Sequence, residues 1–191
     1  MSRDLAPPPL SEAEGRALLA IARRAILGSL GQAEPGIPPA GFDGPSAPRP
    51  VFVTLHVAGH LRGCIGMLHA NEPLARAVAS CARAAAFEDP RFAPLAAAEI
   101  EALRLELSVL GPRRPLDDPG TLRLGDEGLV VTSEGRSGLL LPQVATEHGW
   151  GAPEFLEAAC IKAGLPPGAW REGARVEAFP AQVFSEPPER T

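Results

Sequence analysis

The chain has 191 residues, 45% hydrophobic and 21% charged, with a net charge of −5. That length suits one domain, or two subdomains sharing a core, and the acidic balance argues against a protein that grips nucleic-acid phosphates. Three cysteines, an odd number with no CxxC pair, argue against a disulfide framework and for reduced thiols.

In chain order, residues 1–10 read as a mobile Pro-rich lead-in without the apolar core of a signal peptide. No apolar run approaches the roughly 20 residues of a membrane span, so a cytoplasmic protein is expected. Ser11 and Glu14 form a capping-box pattern, and Leu18, Ile21, Ala22, Ala25 and Ile26 keep helical spacing, which predicts a helix over 12–30 stopped by Gly31. Residues 31–50 carry too much Pro and Gly for regular structure and read as a long surface loop.

VFVTLHV (51–57) and HLRGCIG (60–66) read as two strands joined by Ala58-Gly59. A two-residue turn would set Cys64 opposite Val53 and Arg62 opposite Leu55. Asn71 is placed to cap a helix over 72–87, with Pro73 in its first turn. FEDPRFAPL (87–95) reads as a loop, and LRLELSVL (103–110) alternates as a half-buried strand does. GPRRPLDDPG is a turn-rich connection. TLRL, GLVVTS and GLLLP read as short strands, PQVATEHGW and APEFLEAACIKAGL as helices, and 175–186 as a last strand, followed by a tail over 187–191. Helices and strands do not alternate regularly and several strands come as hairpins, which predicts an α+β fold with no internal repeat.

The chemistry candidates centre on Cys64. In a regular strand His60, Arg62 and Cys64 share a face. An arginine beside a thiol favours the thiolate, and a histidine there supplies a base. The opposing reading is a packed cysteine behaving as a small hydrophobe, which the apolar register with Val53 and Leu55 favours. Gly63 and Gly66 imply that something comes close to the backbone on either side of the cysteine. Cys81 and Cys160 sit in helical apolar patterns and read as core.

Asp89 and Arg91 lie on a constrained loop, where they either bind a ligand or pin the loop by a salt bridge. Phe87 and Phe92 read as core anchors. Gln143 opens a helix, and Lys162, the only lysine, lies in the last turn of another. The four histidines match no zinc spacing, and no nucleotide or triad motif occurs, so no metal or other cofactor is expected.

Several segments, in register, resemble a known family. HLRGCIG resembles the RGCIG signature of the AMME chromosomal region candidate gene family, the AMMECR domain. AAFEDPRFAPL resembles its AFxDPRFxPL-type motif, and LELSVL, SEGRSGLLLPQVATEHGW and FLEAACIKAGL resemble its later motifs in the same order. The similarity spans about residues 11–185. His60 and Met67 depart from the positions that carry function, which takes weight from His60 as a base.

The resemblance implies one α+β domain over 11–186, built of two closely packed subdomains with mixed or antiparallel sheets, flanking helices and a cleft. It implies a site lined or supported by Arg62, Gly63, Cys64, Ile65 and Gly66, with Asp89, Arg91, Gln143 and Lys162 as further binding positions. Bacterial and archaeal members resemble the AmmeMemoRadiSam system protein A, whose genes often lie beside those of a Memo-like protein and a radical SAM enzyme, so the resemblance implies those two proteins as candidate partners. Two readings follow. One is an enzyme using the Cys64 thiol with Arg62 beside it, and the other is a module that holds a small ligand or partner without turning it over.

Overall fold

The computed structural model describes residues 8–32, 47–69 and 71–187. Residues 1–7 of the expected lead-in, 33–46 of the expected loop and 188–191 of the tail lie outside the described residues. The chain divides into two compact units, one drawn from Met1–Val109 with Gln182–Thr191 and the other from Leu110–Ala181.

In the first unit, β1 (Val51–Val57) pairs antiparallel with β2 (His60–Met67) on one side and β3 (Leu103–Leu110) on the other. Alternation turns Val51, Val53 and Leu55 of β1 inward, and all three are fully buried beside Leu103, Leu105 and Leu107 of β3. Helix α2 (Leu74–Phe87) packs across β1 and β2, and α1 (Glu12–Ser29) packs on α2.

The capping box at Ser11 and Glu14 forms as expected: the Ser11 N–H donates to the Glu14 carboxylate at 2.7 Å while the Ser11 hydroxyl accepts from the Glu14 N–H. The end of the chain returns to this unit. Phe184 is buried in the same core, its ring laid against Gly15 of α1. The Gln182 amide bonds both the N–H and the C=O of Leu10, at 2.7 and 3.0 Å.

In the second unit, β5 (Glu127–Ser133) lies between β6 (Arg136–Leu140) and β7 (Arg175–Ser185), and the two-residue β4 (Arg114–Pro115) adds to β7. All of these pairings are antiparallel. Helices α3 (Pro142–His148) and α4 (Ala152–Lys162) bury Ala145, Phe155, Leu156, Ala159 and Cys160 in a core with Leu129, Val131 and Ala178. Gly138 sits where α4 ends: a Cβ there would lie 2.6 Å from the Lys162 carbonyl carbon.

With helices set on antiparallel strands, the fold is α+β, as the sequence predicts. Among the described residues no helix is long and apolar enough to cross a membrane.

Several local expectations need correction. The α2 N-cap is Pro73 with no side-chain cap, so Asn71 caps nothing and the helix starts at Leu74. TLRL is not a strand. Its first residue ends a 3-10 turn, Pro119–Thr121, and Arg123 is drawn toward Glu127 instead of a strand partner. The connection from Gly111 contributes β4, and a 3-10 turn at Pro167–Arg171 precedes β7.

Candidate functional site

The β1–β2 hairpin turns at Ala58 and Gly59, both with positive φ (50° and 78°), the pairing of two left-handed residues that a tight hairpin needs. The turn has two residues, as expected, but the register slips between Leu55 and His56. His56 faces Leu61 and Leu55 faces Gly63, so Arg62 is the extra residue of a β-bulge.

That one-residue slip corrects the expected pairing. Cys64 lies opposite Thr54, not Val53, and Arg62 does not face Leu55. It also separates His60 from Cys64. His60 faces Val57, which packs on the core cluster, whereas Thr54 and Cys64 take the other face.

The bulge explains Gly63. Leu55 and Gly63 point toward α2, and a Cβ on Gly63 would stand 3.0 Å from the Ala85 carbonyl carbon, with the oxygen closer still. Three residues on, Gly66 lies opposite Phe52, whose ring atoms would be 2.6 Å or less from a Cβ there. The close approach that the sequence implies at these glycines is made by the chain's own helix and its own aromatic ring. Ile65 lies opposite Val53 and packs against the core.

Cys64 is half-buried. The Thr54 hydroxyl donates to its sulfur at 3.4 Å. Both of its backbone polar groups are held by the FEDPRF loop. The Cys64 N–H donates to Asp89 Oδ2 at 2.9 Å, and the Cys64 carbonyl accepts from Arg91 Nη2 at 3.2 Å. Asp89 in turn accepts from the Arg91 N–H at 3.1 Å, Nε at 3.0 Å and Nη2 at 2.7 Å. Two side chains thus stand in for a further strand at this point of β2.

The Asp89 side chain is 2% exposed, so its charge is fully committed. The Arg91 guanidinium, followed by the N–H groups of Cys64 and Arg91, holds the Asp89 carboxyl well below the usual carboxylate range. Arg91 is kept charged by the Asp89 carboxylate it bonds. The guanidinium that bonds the Cys64 backbone is therefore that of Arg91.

Arg62 is engaged elsewhere. Its Nε and Nη2 bond the two Glu99 oxygens at 2.7 and 3.0 Å, and its Nη1 and Nη2 reach the Ala93 and Pro94 carbonyls. Arg62 ties the end of the FEDPRFAPL loop to the bulge, with Glu99 held ionised by it. Phe92 is not a core anchor. It is half-buried, with the Arg91 and Arg62 guanidinium carbons 5.4 and 6.0 Å from its ring centroid.

Arg62, Gly63, Cys64, Ile65, Gly66, Asp89 and Arg91 thus come together in the first unit. Gln143, in the first turn of α3, and Lys162, in the last turn of α4, belong to the second. Cys81 and Cys160 are buried, and burial pushes the Cys81 thiol up to about 12 and raises that of Cys160. Among the described residues no three His, Cys, Asp or Glu side chains converge as a metal site.

Sequence reasoning missed Glu127. It is fully buried and accepts four bonds, from Arg114 Nε and Nη2 and from the Arg123 N–H and Nη2, at 2.8–3.1 Å. Arg114 is the chief cause holding its carboxyl down at about 2. A glutamate beginning a strand, with an arginine four residues before it, was the available signal.

Comparison with known proteins agrees with this frame. The AMMECR1 family model matches residues 19–184. A protein of Methanothermobacter thermautotrophicus is 46% identical over 186 residues, covering 93% of this chain and 97% of its own. One of Methanosarcina acetivorans is 41% identical, covering 93% and 94%. The crystal structure of an uncharacterized protein from Pyrococcus horikoshii superposes with a TM-score of 0.85 at 38% identity, covering 93% of each chain. The chain belongs to the AMMECR1 family.

Proposed function

We propose that this AMMECR1-family chain is a thiol-dependent enzyme in which Cys64 Sγ is the nucleophile and Arg91 engages an anionic group of a small-molecule substrate. The observation that carries this reading is the clamp. Asp89 and Arg91 fix both backbone groups of a half-buried cysteine, and Thr54 aims a hydroxyl at its sulfur. A cysteine held by both backbone groups, its carbonyl bound by a guanidinium that is still 52% exposed, is suited to attack an electrophilic carbon whose neighbouring group is negative. In that step the C–S bond forms as the bond to the leaving group breaks. The thiol proton passes to solvent, and the leaving group takes the electron pair.

Arg62 is a positioning residue on this reading, acting through Glu99 and the loop. Gly63, Ile65 and Gly66 support the hairpin. Gln143 and Lys162 enter as binding positions on the strength of their motifs.

The test compares alkylation of Cys64 in the intact protein by iodoacetate and by iodoacetamide. The ratio of the two rates should exceed that of free glutathione by about threefold or more, and fall to the glutathione value in Arg91→Gln. A parent ratio equal to that of glutathione would remove Arg91 from the role.

A second reading has its own observation in favour. Gly63 and Gly66 are filled by α2 and Phe52, and Arg62 and Asp89 are spent on holding the loop, which suits a surface that binds without turnover. On this reading the chain is an accessory module for a Memo-like or radical SAM protein. Co-purification of either one from the native host, lost in a surface variant such as Arg91→Glu, would favour it. Recovery of neither would count against it.

A further inference from the structure

Resting on the thiol reading, we infer that Glu106 receives the Cys64 thiol proton, relayed by the hydroxyl of Thr54. The observation is a polar row across the sheet of the first unit. Cys64 of β2 pairs with Thr54 of β1, and Thr54 pairs with Glu106 of β3. Directly paired side chains stand about 4.5–5.5 Å apart at Cβ. All three point away from the core, because Val53, Leu55, Leu105 and Leu107 beside Thr54 and Glu106 point into it. Ser185, at the end of β7, extends the row: its hydroxyl donates to Glu106 Oε2 at 3.1 Å. The four residues belong to one compact unit.

Thr54 is the link. It is 9% exposed, and its Oγ1 lies 3.4 Å from Cys64 Sγ. A hydroxyl has one donor and two acceptor positions and can turn between them. It can therefore accept the S–H proton while giving its own to the carboxylate on its other side. Glu106 is half-buried, which leaves it in exchange with solvent.

The other charged groups near the sulfur are spent or out of line. Asp89 accepts from the Cys64 N–H and from Arg91, and Arg62 is bonded to Glu99. His56 shares the outward face of β1, but the bulge at Arg62 sets it opposite Leu61, in a row with Arg104. Glu106 is the carboxylate in line with the thiol.

In the step, the S–H bond breaks as Thr54 Oγ1 takes that proton and releases its own to the Glu106 carboxylate, from which it passes to solvent. The electron pair left on Sγ forms the bond to the electrophilic carbon. Glu106 touches neither sulfur nor substrate, so it is a positioning residue for the proton, acting through Thr54.

The test is the pH profile of Cys64 alkylation by iodoacetamide in the full chain. Two roles for Glu106 predict opposite signs. A carboxylate that is merely near disfavours the thiolate, so Glu106→Gln would speed labelling. As the proton acceptor, Glu106→Gln should slow labelling by about tenfold or more at about pH 6, and by less than about twofold at about pH 10, where hydroxide takes the proton. Thr54→Val should show the same loss, and the double variant no further loss, because the two act as one path. Glu106→Asp and Thr54→Ser, which keep the chemical groups, should recover most of the rate, a rescue that a lost packing contact would not give. A labelled Cys64 with Glu106→Gln as fast as the parent or faster, or with the loss appearing in His56→Gln instead, would overturn this assignment alone. A Cys64 unlabelled in the folded parent would end the thiol reading and the assignment with it.

Discussion

Replacing Gly63 by alanine separates a glycine kept for packing from one kept for a ligand. The added Cβ would fall 3.0 Å from the Ala85 carbonyl carbon and nearer still to its oxygen, where ordinary contacts begin at 3.4 Å. Both atoms are backbone, and Ala85 lies inside α2, so no side chain can turn aside. Strand and helix must part by roughly 1 Å, and overpacking of this kind costs about 1–3 kcal/mol. For a chain of this size each kcal/mol lowers the melting temperature by about 2–4 °C.

Gly63→Ala should therefore melt roughly 3–10 °C below the parent, with a matching fall in the urea midpoint and no change in the denaturant slope. Gly66→Ala is the internal control. There the obstacle is the Phe52 side chain, half-buried and able to rotate, so the loss should be smaller. A Gly63→Ala protein that melts within about 1 °C of the parent would refute the packing argument. It would return the glycine to the close approach of a ligand.

Other consequences concern the charged clamps. Asp89→Asn keeps the shape but removes the charge that binds Arg91, and should cost about 2 kcal/mol. The same variant should speed hydrogen exchange at the Cys64 amide, the donor that Asp89 holds, and unchanged exchange there would show that the clamp does not order β2. Glu127, held down at about 2, stabilises the native state while ionised, so its contribution is complete above about pH 5 and is lost as pH falls toward 2. Glu127→Gln should therefore melt below the parent at neutral pH, with the gap closing between about pH 5 and pH 2. A gap independent of pH would mean that the charge of Glu127 is not what matters.

The sequence pattern carries the elements well where local rules decide them. The capping box at Ser11 and Glu14, the Ala58-Gly59 turn and the alternation of LRLELSVL all concern neighbours within a few residues, and each forms. What it cannot carry is the bulge. Nothing in HLRGCIG indicates that Arg62 drops out of register, yet that slip moves Cys64 from the apolar face expected beside Val53 to the face of Thr54. It also breaks the proposed grouping of His60 with Cys64.

Charge pairing is hidden for a similar reason. Arg62 finds Glu99 from 37 positions away, and Asp89 finds Cys64 from 25. The sequence brings Arg62 and Cys64 forward because they are two residues apart, whereas the loop fold brings Arg91 to the Cys64 carbonyl. Glu127 looks like part of a GDEG turn until its arginines close over it.

A Cys64 nucleophile must be an available thiol in the folded protein, and the most direct test is alkylation of the native protein with iodoacetamide, read for each cysteine by peptide mass spectrometry. Cys81 and Cys160 are 1% and 0% exposed, and burial raises both thiols, that of Cys81 to about 12, so they should label only on unfolding. Cys64 should label in the folded state at least a hundredfold faster than either. A Cys64 that stays silent until the protein unfolds would make it a packing residue and contradict the thiol enzyme.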